Sequence, residues 1–202
     1  MSPQILHEEF NSLPLDERLS WRCPPARWSV ENSSLTIHPE GGTDYWSRTH
    51  YGFSADKGPF LNLEVEGDFI LSTRVRFYPV NQYDQAGLMV RLSAEHWIKT
   101  CVEYEPDGPS WLGVVVTNFS YSDWSTQSFS GQTNQVELRI VNKGSDFLVQ
   151  CRDDKIEGEW LQLRIAHLFN PQQKPLRAGV FACSPKGEGF KAEFQYLTVE
   201  QA

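Results

Sequence analysis

From Phe69 to Tyr78 the chain reads FILSTRVRFY, with Phe69, Leu71, Thr73, Val75 and Phe77 on one side and Ser72, Arg74 and Arg76 on the other. A period of two is that of a half-buried strand. Residues 60–66 (FLNLEVE) precede it across Gly67-Asp68, a turn signal, so the two runs are expected to pair as a hairpin. Residues 86–92 and 96–104 follow, separated by the corner Ser93-Ala94-Glu95; after the breaker Pro106-Asp107-Gly108-Pro109 a further run covers 111–118. The stretches 135–141, 147–152, 160–168, 176–183 and 190–199 carry the same signature, with turns at Lys143-Gly144-Ser145 and Pro185-Lys186-Gly187. They are crowded with aromatic and β-branched residues, as strands favour. Roughly a dozen short strands at about 8–12-residue spacing predict an all-β fold, a jelly-roll sandwich of two antiparallel sheets. The one helical candidate is a short turn at 14–19 (PLDERL). Residues 1–20 are expected as a loosely held N-terminal arm and 21–202 as one sandwich domain.

Composition narrows the partners. The 202 residues are 40% hydrophobic and 22% charged, a globular balance, and the net charge of −8 argues against nucleic acid and anionic membrane. No apolar run is long enough to span a bilayer. The first residues hold acidic side chains and no basic segment followed by an apolar one, so no secretory or transit signal is read there and a reducing compartment is expected. Cys23, Cys101, Cys151 and Cys183 are widely spaced and are then expected as free, mostly buried thiols. The sequons at Asn32 and Asn118 are read as chance matches.

The chain lacks the motifs of common chemistry. His7, His38, His50, His96 and His167 show no metal-ligand spacing, and nucleophile-elbow and phosphate-loop patterns are absent. Asp153-Asp154 is the one adjacent Asp pair that suggests calcium, without an EF-hand loop around it. Neither a metal nor a cofactor is expected. Acids alternate in Glu103-Tyr104-Glu105-Pro106-Asp107 and in Glu64-Val65-Glu66-Gly67-Asp68. Neighbours of that spacing lie roughly 6.5–7 Å apart on a strand, so two carboxyls can converge as in glycosidases. Both runs end at a breaker, where acids usually form a solvated rim; Glu103, inside its strand, is the better catalytic candidate.

A polar face is more informative. In 96–104, Trp97, Lys99, Cys101 and Glu103 share one side, and in 86–92 Met89 and Arg91 oppose Leu88, Val90 and Leu92. If these strands pair, one face collects Arg91, Trp97, Lys99 and Glu103. That is either an exposed face of weak ion pairs or a groove for a small polar ligand with a stacking aromatic. Trp46 and Trp124 sit in polar stretches (DYWS and YSDWS) and are either loop anchors or sugar-stacking planes.

The blocks Thr43-Asp44-Tyr45-Trp46, Gly58-Pro59-Phe60-Leu61, Gly67-Asp68-Phe69, the run from Tyr83 to Arg91, Trp97-Ile98-Lys99-Thr100, Glu103-Tyr104, Val115-Val116-Thr117-Asn118 and Tyr121-Ser122-Asp123-Trp124-Ser125 stand in one order along residues 20–200. In them the chain resembles the family of concanavalin A-like β-sandwich proteins that includes the regulation of enolase protein. The resemblance implies a jelly roll with a curved concave face, a cytoplasmic setting and a regulatory link to enolase and sugar metabolism. It brings no catalytic residue. The candidate ligand-binding set is Asp44, Trp46, Gln85, Arg91, Trp97, Lys99, Glu103, Asp123 and Trp124. The expected function is non-catalytic: a lectin-like binding or regulatory protein that holds a carbohydrate or polar metabolite. The alternatives are a regulator acting on a protein partner such as enolase, and a glycoside hydrolase or lyase using Glu103.

Overall fold

The structure, a computed structural model, describes residues 3–129, 134–152 and 159–202. The strands are, in chain order, β1 Gln4–Glu8, β2 Ser20–Arg22, β3 Arg27–Val30, β4 Leu35–His38, β5 Asp44–Ser47 and β6 Ser54–Lys57. Then come β7 Phe60–Val65, β8 Phe69–Tyr78, β9 Gln85–Arg91, β10 Trp97–Glu103, β11 Trp111–Asn118 and β12 Tyr121–Ser128. The last five are β13 Gln135–Lys143, β14 Asp146–Arg152, β15 Leu161–His167, β16 Leu176–Cys183 and β17 Lys191–Gln201. No helix forms among the described residues, and the 14–19 segment is bends and turns.

Two antiparallel sheets face each other. One runs β15-β14-β13-β8-β17-β4-β3, with β1 also on β17; the other runs β12-β11-β10-β9-β16-β7-β2. The chain is the jelly-roll sandwich that the strand pattern predicts. Alternation sets the core. On β8, Phe69, Leu71, Val75 and Phe77 point inward and are buried, and Leu88, Val90, Ile98 and Val102 meet them from the second sheet. Each such side chain contributes roughly 1.5–3 kcal/mol by leaving water.

Two expectations change. Residues 60–66 and 69–78 are not a hairpin: β7 pairs with β16 and β2, and β8 with β13 and β17. The Gly67 corner, at φ 71°, carries the chain from one sheet to the other, so both strands point their apolar sides at the same core. The first residues are also not loosely held. β1 pairs with β17, and Leu6 and Phe10 are buried in the core, which fixes the segment by both backbone bonds and side-chain burial.

Candidate functional site

The site lies on the outer face of the second sheet, centred on β10. Its register with β9 sets Trp97 beside Arg91, Lys99 beside Met89 and Glu103 beside Gln85; its register with β11 sets Lys99 beside Val115. The outward set Trp97, Lys99, Cys101 and Glu103 is therefore continuous with Gln85, Met89, Arg91 and Val115.

The ribbon of β5 and β6 folds over part of this face. Tyr45 is fully buried; its hydroxyl donates to the Gly58 carbonyl at 2.7 Å and accepts from Arg22 Nη1 at 3.0 Å. Tyr45 meets Trp97 and Phe181 edge-on at 6.2 and 6.1 Å, and Trp46 meets Trp124 at 6.4 Å. Asp56 accepts two 2.8 Å bonds from Arg91 and one of 2.9 Å from Arg22. The Ser47 amide donates to Ser122 Oγ at 2.9 Å. The buried aromatic rings and the charge-assisted bonds together hold the ribbon on the sheet.

What the ribbon leaves uncovered is a cavity of about 400 Å³. Gln85, Lys99, Glu103, Val115 and Trp124 line it from the sheet, and Asp44, Trp46 and Ala55 from the ribbon. Tyr51 and Phe53, from the ribbon's connecting loop, complete it with Gly42, Tyr83, Pro185 and Lys186. One hydrogen-bond network ties those last loops together: Asp84 accepts from the amides of Val80 and Asn81 at 2.8 Å and from Ser184 Oγ at 2.5 Å, and the Ser184 amide donates to Thr43 Oγ1 at 2.9 Å.

Six of the nine candidates thus share one cavity: Asp44, Trp46, Gln85, Lys99, Glu103 and Trp124. Three do not line it. Trp97 is 1% exposed beneath the ribbon, and Arg91 is engaged by Asp56. Asp123 is one residue out of phase with Trp124, so it points off the opposite side of the edge strand and pairs with Arg164 of β15 at 3.1 Å. Sequence reasoning missed Tyr51, Phe53, Tyr83, Pro185 and Lys186. Pro185 and Lys186 carried a signal as a turn, and Tyr83 as the first residue of a block that carries the resemblance.

The polar groups are coupled. Lys99 Nζ donates to Gln85 Oε1 at 2.7 Å and stands 3.4 Å from Asp44 Oδ1, which Gln85 Nε2 also approaches at 3.4 Å. Burial pulls the Lys99 ammonium down, but Asp44 leads a set of neighbours that hold its pKa above the ordinary lysine value. Burial pushes Glu103 up to about 7; Lys99 opposes the rise, while Asp44 and Glu105 add to it. The Glu103 carboxyl lines the cavity and takes no side-chain hydrogen bond from another described residue. Burial likewise raises the Cys101 and Cys183 thiols, which keeps them in the protonated form. Trp124 lies over Gly113, where an added Cβ would stand 3.0 Å from its Nε1, a buried N–H without a partner. The cavity thus offers donors, acceptors and aromatic planes to one small polar molecule.

Among the described residues no group of three or more His, Cys, Asp or Glu side chains is placed to hold a metal ion, and Asp153-Asp154 lies outside the described residues. Cys101 and Cys183 are buried free thiols, Cys151 is buried, and Cys23 is exposed. No described helix is long and apolar enough to cross a membrane.

A family model described as "Protein of unknown function (DUF1349)" matches residues 21–202. The chain belongs to the DUF1349 family. It is 34% identical over 175 residues to "Regulation of enolase protein 1" of Saccharomyces cerevisiae, covering 87% of this chain and 85% of that protein. A crystal structure of a functionally unknown protein from Saccharomyces cerevisiae superposes with a TM-score of 0.83 at 32% identity, over 92% of this chain and 97% of that one. The xylan β-1,4-xylosidase of Bacillus halodurans C-125 gives a TM-score of 0.78 at 14% identity, over 96% of this chain but 39% of the xylosidase. That likeness shows a shared sandwich fold and nothing about activity.

Proposed function

We propose that this DUF1349 protein is a non-catalytic binding protein whose cavity holds a small neutral, polyhydroxylated ligand of the carbohydrate class. The observation that carries the reading is the meeting of Asp44, Gln85, Lys99 and Glu103 with the rings of Trp46 and Trp124 in one cavity of about 400 Å³. Such a mixture suits a molecule with a hydroxyl-bearing edge and an apolar face. A thermal-shift panel of neutral sugars, sugar phosphates and glycolytic intermediates tests it. Saturation at about a hundred times Kd raises Tm by roughly 5–10 °C. A response to neutral sugars supports the reading, and a flat panel overturns it.

The similarity to a protein named for enolase regulation supports a second element, that ligand occupancy serves a regulatory contact with enolase in the cytoplasm. The buried free thiols of Cys101 and Cys183 fit a reducing compartment. Purified enolase titrated against the protein, with and without sugar, tests this directly. The hydrolase reading rests on Glu103 and Asp44 lining one cavity, but Asp44 is engaged by Lys99 and Gln85. Turnover of an oligosaccharide that is lost in Glu103→Gln would replace the binding reading with that one.

A further inference from the structure

The loop joining β5 to β6 is built in a costly way. Arg48 and His50 have φ of 57° and 62°, in the left-handed region that non-glycine residues rarely adopt, and Gly52 follows at 71°. Backbone strain of this kind persists only where the surroundings enforce it. Here it turns Tyr51 and Phe53 outward at the cavity's edge, 52% and 47% exposed. Their rings lie 6.2 Å apart at an interplanar angle of 36°, so they touch and present one continuous apolar surface. Tyr51 in turn touches Trp46 at 5.4 Å, and Trp46 touches Trp124 at 6.4 Å. The aromatic surface thus starts beside the polar groups and runs out past the mouth. A ligand that fitted wholly inside would leave its outer end unused.

Resting on the carbohydrate reading above, we infer that the ligand is a saccharide of at least two units, with its first ring among Asp44, Gln85, Lys99 and Glu103 and its second against Tyr51 and Phe53. The second ring buries apolar C–H faces on exposed aromatic surface that is in place before binding, so little ordering opposes the gain. Shielding of Trp46 explains Tyr51 alone. It does not explain Phe53, which touches Tyr51 and presents nearly half its surface to solvent.

Calorimetric titration of D-glucose against cellobiose, maltose and laminaribiose, and of D-xylose against xylobiose, tests this on the full chain. At least one disaccharide should bind about five- to tenfold more tightly than its monosaccharide. In Phe53→Ala that ratio should fall towards one, whatever the variant does to the monosaccharide itself. Tyr51→Phe, which keeps the plane, should retain the ratio. A monosaccharide that binds as tightly as its disaccharide overturns the second-ring subsite and leaves the cavity reading standing. A disaccharide advantage untouched by Phe53→Ala overturns it too, since the second ring then lies elsewhere. Failure of every sugar overturns both.

Discussion

Lys99 Nζ donates a 2.7 Å hydrogen bond to Gln85 Oε1 between adjacent strands, with both side chains buried. The same ammonium faces Asp44 Oδ1 at 3.4 Å. Lys99→Met keeps much of the apolar stem and removes the charge, so Gln85 Oε1 loses its ammonium donor and Asp44 loses its counter-charge, keeping only the Tyr45 amide and Gln85 Nε2. The expected cost is about 2–4 kcal/mol in urea unfolding, together with loss of saccharide binding. A loss under about 1 kcal/mol would show that the lysine is not structural.

Glu103 gives a pH signature. Its folded-state pKa of about 7 lies above the ordinary 4.5, so between those values the native state holds more protons than the unfolded one. Stability from this group is therefore full below pH 4.5 and declines as pH rises towards about 7. Glu103→Gln removes the effect. Relative to the native protein, the variant should gain roughly 3 kcal/mol between pH 4.5 and pH 8, read from paired denaturation curves. A stability difference that is flat across that window would place the group at an ordinary pKa.

Asp56 clamps the ribbon. It takes both guanidinium nitrogens of Arg91 and one of Arg22, and its side chain is 37% exposed. Partial screening limits the expected cost of Asp56→Ala to about 1–3 kcal/mol. The freed ribbon should be cut faster by trypsin at Arg48 and Lys57 than the rest of the chain. Unchanged digestion at those sites would show that the aromatic packing alone holds it.

Much of this was legible in the chain. Alternation in FILSTRVRFY and in the 96–104 run fixes which side chains share a face, and the inward positions Ile98 and Val102 and the outward positions Lys99 and Glu103 fall as the period of two requires. What alternation cannot carry is what folds over a face. The ribbon of Asp44–Ser47 and Ser54–Lys57 buries Trp97 and occupies Arg91, yet nothing in its eight residues says on which surface it lands. The same holds for Tyr83, brought to the cavity by a left-handed φ of 68° and the Asp84 network. The placement of Asp123 was within reach, because a residue next to Trp124 on a strand cannot share its face. The Gly67 corner was misread as a hairpin because a turn signal does not reveal whether the chain stays in its sheet.

Gly113 gives Trp124 its place. Its backbone is not left-handed, so Gly113→Val suits the strand, but the new side chain must displace an indole whose Nε1 stands 3.0 Å from the Cβ position. Saccharide affinity should fall about tenfold, with a change in tryptophan fluorescence and a loss of stability of only about 1–2 kcal/mol. Unaltered affinity would remove Trp124 from the binding surface.

The central claim is that the cavity over β10 binds a neutral saccharide through its polar floor. The most direct test is calorimetric titration of the disaccharide panel into the native protein and into Glu103→Ala and Lys99→Ala, with circular dichroism confirming that each variant is folded. Saturable binding to the native protein that is abolished in both folded variants is the predicted result. Binding that persists unchanged in both, or no binding to the native protein at all, would contradict it.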